Sequence, residues 1–259
     1  MKPYAWIPIA CMPIRSQPDE KSEMTSQLLF GDVVQILEVW KNWARVHCFF
    51  DDYVGWIDNK TLLLFEHFDE QSYYANPVNT ILINSAEDEK GNKWLIPAGA
   101  TLPNYDSSSL SFSFDKHTFK LTKTIEPIKA TPENSVQLAY QFLNCPYLWG
   151  GKTALGIDCS GLVQMVYKIL GIPLLRDASQ QVIHGTTVNF IEEAQPGDLM
   201  FFDNDEGKII HVGIYCGNKQ IIHASGLVRV DLVDNFGIFR KEINTYSHKL
   251  RTLKRILDK

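Results

Sequence analysis

The sequence lacks the features that mark several large classes of protein. It has five cysteines, none in a Cys-x-x-Cys pair, which argues against a disulfide framework and against a structural zinc site. It has no run rich in lysine and arginine, and its formal net charge is -5, so a nucleic-acid backbone is not expected as a partner. No apolar stretch approaches the ~20 residues that a membrane-spanning helix needs. The 259 residues, 45% hydrophobic and 21% charged, have the composition of an ordinary soluble globular protein.

The first residues bear on where the protein works. Ile9-Ala10-Cys11 loosely resembles a lipoprotein cleavage site. The apolar stretch before it is shorter than the ~7–15 residues of a signal-peptide core, and it contains Pro3 and Pro8. We therefore interpret this segment as a first strand. The expected location is cytoplasmic, or periplasmic or exported if a signal peptide was removed.

Residues 1–128 show the patterns of all-β structure. Strand-like runs at residues 33–39 and 43–47 are separated by glycine and aspartate turns, which is typical of a small barrel. Four motifs in this region resemble the bacterial SH3-like domain: Met12-Pro13-Ile14-Arg15-Ser16, Gly31-Asp32-Val33-Val34, Trp43 and Tyr53-Val54-Gly55-Trp56-Ile57. We predict an SH3-like domain at 1–65, a second β domain with a weaker SH3-like pattern at 66–128, and a third domain at 129–259.

The stretch from Gly156 to Leu162 predicts a tight turn followed at once by a helix. Apolar residues recur after it at helical spacing until Gly171 ends the run. Asp158 is the natural N-cap and Cys159 the first helical residue. The positive end of the helix dipole favours a thiolate there, which is the form that a cysteine nucleophile needs. The other cysteines are expected to be small buried hydrophobic residues: Cys11, Cys48, Cys145 and Cys216.

A cysteine nucleophile also needs a base and a group that orients the base. His211 lies on a predicted strand with Gly213 on the same face, which leaves room for another group, and His223 lies on the next strand. In an antiparallel hairpin, the numbers of any two facing residues have the same sum, and the sum of 211 and 223 is even. The two rings therefore share a face only if the loop holds an odd number of residues or a bulge intervenes. The remaining histidines are expected to be surface or capping residues: His47, His67, His117, His184 and His248.

A metal site is the rival use of these side chains. His211, Cys216 and His223 would be the three ligands. Cys216 lies at the turn, however, and the set lacks the short ligand spacings of known metal sites. We expect no metal.

Several spaced motifs resemble the NlpC-type cell-wall peptidases, which are papain-like cysteine peptidases. The motifs are Tyr147-x-Trp149-Gly150-Gly151, Asp158-Cys159-Ser160-Gly161, Pro196-Gly197-Asp198-Leu199, His211-Val212-Gly213-Ile214-Tyr215 and His223-Ala224. The resemblance implies an α+β papain-like catalytic domain that hydrolyses peptide bonds of peptidoglycan stems without a cofactor. It makes Cys159 the nucleophile, His211 the general base and His223 the orienting residue. The backbone N–H of Cys159 and the Tyr147 hydroxyl are the candidates to stabilise the oxyanion.

With the SH3-like front end, the arrangement resembles the γ-D-glutamyl-L-diamino-acid endopeptidases. These enzymes cut after D-Glu and require a free N-terminal L-Ala, so the resemblance implies acidic and hydroxyl groups around a small pocket. The candidates are Asp158, Ser160 and Ser179, joined by Glu23 and Tyr53 from the first β domain. Two carboxylates facing one ammonium would exclude a longer chain, because an amide there leaves both carboxylates unpaired. Each candidate also has a plain structural interpretation, as a cap, a surface residue or a core aromatic.

The combined hypothesis is a monomeric cysteine endopeptidase that recycles murein peptides and has no nucleic-acid or membrane partner. Its substrate would be the stem peptide L-Ala-γ-D-Glu-diamino acid, with the diamino acid, diaminopimelate or lysine, left open. One alternative is a cell-wall amidase or acyl-transfer enzyme on the same scaffold. Another is a non-catalytic wall-binding module.

Overall fold

The computed structural model describes residues 3–257, which fall into two compact units. The first unit comprises the chain up to Pro127 together with Lys152–Ala154, and the second comprises Ile128–Gly151 and the chain from Leu155 onward. Both predicted β domains lie in the first unit, and the predicted borders at 65 and 128 stay predictions. Across residues 3–257 the longest helix has 11 residues, so none is long and apolar enough to cross a bilayer.

Short strands make up most of the first unit. They are β1 (Tyr4–Trp6), β2 (Cys11–Arg15), β3 (Met24–Leu29), β4 (Val33–Trp40), β5 (Trp43–Cys48), β6 (Val54–Asp58), β7 (Leu63–Phe65), β8 (Ile83–Asp88), β9 (Lys93–Pro97), β10 (Ser111–Phe114), β11 (His117–Leu121) and β12 (Lys152–Thr153), with helix α1 at Glu70–Tyr74. Strands β1 to β7 form an antiparallel sheet in the order β3-β2-β6-β5-β4-β1-β7. Strands β8 to β11 form another in the order β10-β11-β8-β9.

An aromatic core joins the two sheets of the first unit. Trp6 and Phe30 come from the first β segment, whereas Phe114 and Phe119 come from the second. The rings of Trp6 and Phe114 stack with centroids 4.8 Å apart, and those of Phe30 and Phe119 meet edge to face at 5.5 Å. Such pairs contribute about 0.5–1.5 kcal/mol each beyond the area they bury. The two β segments are therefore packed through shared aromatic contacts.

A buried ion pair holds Lys152 in the first unit, although the residues just before it in sequence, Ile128–Gly151, belong to the second unit. Lys152 Nζ lies 3.4 Å from Asp51 Oδ2, and both side chains are almost fully buried. The Lys152 N–H donates to Gln27 Oε1 at 2.8 Å. A buried charge needs its partner, because removing one member of such a pair leaves the other uncompensated.

The second unit combines helices with a closed antiparallel sheet. Its elements are α2 (Pro132–Gln141), β13 (Gly156–Ile157), α3 (Cys159–Ile169), α4 (Ala178–Gln181), β14 (Thr186–Val188), β15 (Leu199–Asp203), β16 (Ile209–Gly217), β17 (Gln220–Ser225), β18 (Leu227–Val233), β19 (Gly237–Arg240) and β20 (Thr245–Arg255). The sheet order is β14-β20-β15-β16-β17-β18-β19, and β19 also pairs with β20. This is the α+β architecture that the resemblance to the NlpC-type peptidases implies.

Helix α3 begins as the sequence predicts. Asp158 is the N-cap, and its Oδ1 accepts the Gly161 N–H at 2.7 Å. All eleven residues of α3 are buried, so the helix is enclosed rather than exposed on one side. The backbone comes very close at Gly161, where an added Cβ would lie 2.3 Å from the Gly151 carbonyl oxygen. Glycine at 161 is what lets the loop before the helix pack against its first turn.

A two-residue turn connects β16 and β17. Asn218 and Lys219 both have positive φ, 52° and 57°, as a type I′ hairpin turn requires. Gly217 pairs with Gln220 across this turn. If that register continued along both strands, His211 and His223 would point to opposite sides of the sheet.

A β-bulge changes the register just beyond the turn. Tyr215 pairs with Ile221, so Cys216 is an extra residue in β16. The shift of one position turns His211 and His223 to the same face of the sheet. The bulge is one of the two conditions that the sequence set for a shared face, and it is confirmed.

Candidate active site

Cys159 occupies the first turn of α3, against strand β16. Backbone N–H groups of Val212 and Ser160 hydrogen bond to its sulfur. Val212 follows His211 directly in β16, so the sulfur lies beside the strand segment that carries the candidate base. The residue is 7% exposed. A helix end and a strand therefore position this thiol together.

The expectation that Cys159 is ionised to a thiolate before substrate binds is wrong. Burial raises the pKa of the Cys159 thiol to about 12, and the nearby Asp158 carboxylate adds to the increase. The two backbone hydrogen bonds and Arg176 act in the other direction but do not outweigh burial. Burial also lowers the pKa of His211 well below its usual value, with His223 and His248 contributing. The resting pair is a neutral thiol and a neutral imidazole.

Two hydrogen bonds link three buried side chains behind Cys159. His211 Nε2 lies 2.8 Å from His223 Nδ1, and His223 Nε2 lies 3.0 Å from Asp231 Oδ2. The two imidazole rings are nearly perpendicular, at 87°, so each ring nitrogen meets its partner edge-on. The structure thus brings His211 and His223 together as predicted. Gly213 makes this possible, because a Cβ there would lie 2.9 Å from the Cβ of His223.

Asp231 is a member of this group that sequence reasoning missed. It lies on β18, where His223 of β17 faces Arg229 and Ile221 faces Asp231. Residues two apart on a strand share a face, so His223 and Asp231 lie diagonally on the same side. The signal was present in the alternation of Arg229 and Asp231 with apolar residues. The pairing of β18 with β17 was needed to connect that pattern to His223.

His248 is also part of the group, so its assignment as a surface or capping residue is wrong. Its ring stacks on that of His211, with centroids 4.1 Å apart and planes inclined by 21°. Burial lowers the pKa of His248 to about 4. Strand β20 brings it to the site by pairing next to β15, which itself pairs with β16. Nothing in the local sequence around residue 248 indicated this.

Asp158 is more than an N-cap. Its Oδ1 and Oδ2 accept hydrogen bonds from Arg176 at 3.0 and 2.6 Å, and Oδ2 also accepts the Gly150 N–H at 2.8 Å. The Ser160 hydroxyl accepts from Arg176 at 2.8 Å and donates to Asp158 Oδ1 at 3.3 Å. Arg176 is a second residue that sequence reasoning missed. The proposed contact of Asp158 and Ser160 with a substrate ammonium stays a prediction, and Arg176 already offsets the Asp158 charge.

Tyr147 lies close to Cys159 and Asp158. Burial raises the pKa of the Tyr147 hydroxyl to about 12, with contributions from both neighbours. The phenol is therefore protonated at neutral pH and able to donate. This is the state that a group stabilising an oxyanion needs.

The other predicted substrate-binding residues are spread over both units. Ser179 is exposed within α4, whose N-cap is Asp177, so Ser179 is not itself the cap. Glu23 is exposed and Tyr53 is half-buried, and both lie in the first unit. Their contact with substrate stays a prediction.

The four cysteines other than Cys159 differ in burial. Cys48 and Cys145 are buried as expected, whereas Cys11 and Cys216 are half-buried. Within residues 3–257, no three His, Cys, Asp or Glu side chains come together in a way that would hold a metal ion. Cys216 is the bulge residue of β16, and His211 and His223 hydrogen bond to each other.

Two family models match this chain. Residues 144–245 match the NlpC/P60 family, and residues 14–62 match the bacterial dipeptidyl-peptidase SH3 domain. Dipeptidyl-peptidase 6 of Lysinibacillus sphaericus is 32% identical over 240 residues, which cover 81% of this chain and 83% of that protein. The chain belongs to the NlpC/P60 family and is a peptidase with an N-terminal SH3-like domain.

Two further similarities concern proteins of Bacillus cereus. A protein named γ-D-glutamyl-L-lysine dipeptidyl-peptidase is 26% identical over 229 residues, covering 78% of this chain and 68% of that protein. The crystal structure of an NlpC/P60 family protein superposes with a TM-score of 0.81 at 19% identity, covering 98% of this chain and 100% of that one. The structural likeness confirms the predicted fold, a papain-like domain preceded by an SH3-like domain.

Proposed function

We propose that this peptidase is a cysteine endopeptidase that hydrolyses the bond between γ-D-Glu and a diamino acid in peptidoglycan stem peptides. The observation that carries the proposal is the hydrogen bond between His211 and His223, next to a cysteine at the start of a helix. The name of the B. cereus relative, γ-D-glutamyl-L-lysine dipeptidyl-peptidase, supports the choice of bond.

The first half of the reaction follows from the neutral resting pair. As the Cys159 sulfur attacks the γ-carbonyl carbon of D-Glu, His211 takes the thiol proton, so charge develops only when substrate is present. The carbonyl oxygen becomes an oxyanion, for which the Tyr147 hydroxyl and the Cys159 N–H are the proposed donors. His211 then gives its proton to the amine of the diamino acid. That amine leaves, and D-Glu remains bound to sulfur as a thioester.

The second half releases the dipeptide. A water molecule gives a proton to His211 and attacks the thioester carbonyl. The C–S bond breaks, the sulfur recovers its proton, and L-Ala-D-Glu departs. His223 acts throughout by keeping the His211 ring in place.

The finer specificity is part of the proposal. A requirement for a free N-terminal L-Ala would restrict the enzyme to stem peptides already released from the glycan, because that amine is otherwise in an amide bond. Such fragments fit a role in murein recycling and a cytoplasmic location. The candidates for the amine site remain Asp158, Ser160, Ser179, Glu23 and Tyr53.

The purified protein should be assayed with L-Ala-γ-D-Glu-L-Lys, its diaminopimelate counterpart and the N-acetylated form of each. We expect release of L-Ala-D-Glu from the unblocked peptides only, no turnover by Cys159→Ala, and a loss of about 10²- to 10⁴-fold for His211→Ala. Equal cleavage of blocked and unblocked peptides would remove the amine site and favour the amidase or acyl-transfer alternative. Binding without turnover of any stem peptide by the wild-type protein would favour a wall-binding module.

A further inference from the structure

We infer that Asp231 is a positioning residue that fixes the tautomers of both active-site histidines, so that His211 keeps a bare Nδ1 for the Cys159 proton. The inference deepens the proposed function and rests on it. Its basis is the order of hydrogen bonds from Asp231 through His223 to His211. It extends the predicted set of Cys159, His211 and His223 by one member.

Asp231 is buried, with 8% of its surface exposed. Burial alone would raise the pKa of this carboxyl, but hydrogen bonds from His223 and Arg229 hold it below its usual value. The group is therefore a carboxylate at neutral pH, and a carboxylate only accepts hydrogen bonds. Its Oδ2 lies 3.0 Å from His223 Nε2, so the proton of that bond belongs to His223 Nε2.

The proton on Nε2 of His223 determines where the proton of each imidazole ring lies. A neutral imidazole carries one N–H, so His223 with a proton on Nε2 has a bare Nδ1 that accepts. The atom 2.8 Å from it, His211 Nε2, must donate. His211 in turn has its proton on Nε2 and a bare Nδ1. Nδ1 is the nitrogen that can take a proton from the thiol, because Nε2 is already engaged.

This series of hydrogen bonds depends on His223 being neutral. A doubly protonated His223 would donate from Nδ1 as well, which would force the proton of His211 onto the wrong nitrogen. Burial lowers the pKa of His223, and the positive charges of Arg229 and Arg240 lower it further, whereas Asp231 raises it. Because burial outweighs the carboxylate, His223 is neutral at pH 7.

Arg229 and Glu242 hold Asp231 in place. Arg229 Nη2 donates to Asp231 Oδ1 at 2.8 Å and also to Glu242 Oε1, and its Nε lies 2.7 Å from Asp231 Oδ2. These contacts fix the carboxylate with both of its oxygens against Arg229 and with Oδ2 also against His223. A carboxylate with two fixed oxygens is a stronger orienting group than one that rotates freely.

The informative variant is Asp231→Asn, which keeps size and shape. Arg229 Nη2 donates a hydrogen bond to Oδ1, whereas its Nε lies near Oδ2 without forming one, so the amide should keep its oxygen at Nη2 and turn its NH₂ toward His223 Nε2. His223 would then carry its proton on Nδ1 and donate to His211 Nε2. His211 would have its proton on Nδ1, where it can no longer take one from Cys159. The analogous change in a serine protease triad acts through the same tautomer error.

The direct test is ¹⁵N NMR of the imidazole nitrogens in the full chain, which needs no substrate. In the wild-type protein we expect proton-bearing Nε2 and bare Nδ1 in both His211 and His223 at pH 7. In Asp231→Asn we expect both assignments to reverse. Bare Nε2 in either wild-type ring would overturn the inference, whatever the peptidase assay shows.

The kinetic test separates positioning from stability. Asp231→Asn should lower kcat by about 10²- to 10⁴-fold with KM nearly unchanged, and Asp231→Glu should recover part of the loss. The matched control is Asp198→Asn, because Asp198 is also a buried aspartate and forms two hydrogen bonds with Arg255 rather than with a histidine. Its kcat should stay within about threefold of wild type.

The outcomes distinguish the two proposals. If Cys159→Ala abolishes cleavage but Asp231→Asn keeps wild-type kcat, the inference on Asp231 is wrong and the proposed function stands. If the wild-type protein cleaves no stem peptide yet the tautomers are as expected and reverse in Asp231→Asn, the positioning role stands and the proposed substrate is wrong.

Discussion

The imidazole rings of His211 and His248 lie almost parallel, with their centroids 4.1 Å apart. His248 covers one face of the candidate base, and its own pKa of about 4 keeps it neutral at physiological pH. A neutral ring at this distance holds the plane of His211. His248 thus supports His211 from the side, whereas His223 holds it at Nε2.

Removal of this ring should change the pH dependence of the reaction. His248 lowers the pKa of His211, together with burial and His223, so His248→Ala should raise the pKa of His211. A protonated His211 cannot accept the thiol proton, and the acidic limb of the kcat/KM profile should move to higher pH. The lost stacking should lower kcat by about 2- to 10-fold. His248→Phe, which keeps a stacked ring, should retain most of kcat, and equal effects of the two variants would contradict this role.

The neutral resting thiol predicts slow alkylation of the free protein. A thiol with a pKa of about 12 is protonated at neutral pH and loses its proton only as the pH approaches that value. The rate of Cys159 modification by iodoacetamide, followed by peptide mass spectrometry, should therefore increase steadily with pH. The half-buried Cys11 provides an internal comparison in the same digest. Rapid alkylation of Cys159 at a constant rate from about pH 5 to 8 would indicate an ion pair instead.

Tyr147→Phe tests the oxyanion donor while keeping the aromatic ring. Loss of one such donor lowers kcat by about 10²- to 10³-fold, because the charge that it stabilises exists only in the transition state. KM should change little. Tyr246→Phe is the control, because this exposed tyrosine of the same unit donates its hydroxyl to Asp234 Oδ2 at 2.6 Å, and it should behave as wild type. An unchanged kcat in Tyr147→Phe would exclude the hydroxyl from this step.

Gly213→Ala tests the close approach of the two strands that carry His211 and His223. A methyl group at 213 would lie 2.7 Å from the Cδ1 atom of Ile221 and 2.9 Å from the Cβ of His223. Relief of this overlap should displace His223 from His211, lower kcat and cost about 1–3 kcal/mol in the free energy of unfolding. Gly207→Ala adds a methyl group in open space at a position with φ +77°, so it should reduce stability without lowering kcat.

The ion pair of Lys152 and Asp51 predicts a stability effect within the first unit. Asp51→Ala leaves the buried Lys152 ammonium without this carboxylate and should cost about 3–5 kcal/mol in urea unfolding. Replacing both by apolar residues, Asp51→Leu with Lys152→Met, should recover most of that loss. A double variant no more stable than Asp51→Ala would show that the two side chains are not energetically coupled.

Features set by neighbouring residues were predictable from the sequence. Asp158 begins α3 as its N-cap because a side-chain oxygen next to an apolar periodic run satisfies free N–H groups wherever it occurs. The strands that hold His211 and His223 followed from alternation and a turn signal. The spacing of the two histidines also predicted that their hairpin must contain an odd loop or a bulge if the rings are to share a face.

Features that depend on distant segments were not predictable in this way. Asp231 and His248 reach the site through the pairings of β18 and β20, and Arg176 through a loop, and no local pattern specifies those contacts. The protonation of Cys159 shows the same limit. The helix end was visible in the sequence, but the burial that outweighs it results from packing of the whole unit.

The bulge at Cys216 makes chain length itself a determinant of activity. His211 and His223 are twelve positions apart, and adding or deleting a single residue between them would leave every side chain of the candidate site present yet send one imidazole to the far side of the sheet. Two added residues in the turn would restore the arrangement. The hairpin therefore tolerates insertions or deletions of an even number of residues only. Loss of a single codon between His211 and His223 would separate the two rings without any substitution in the site.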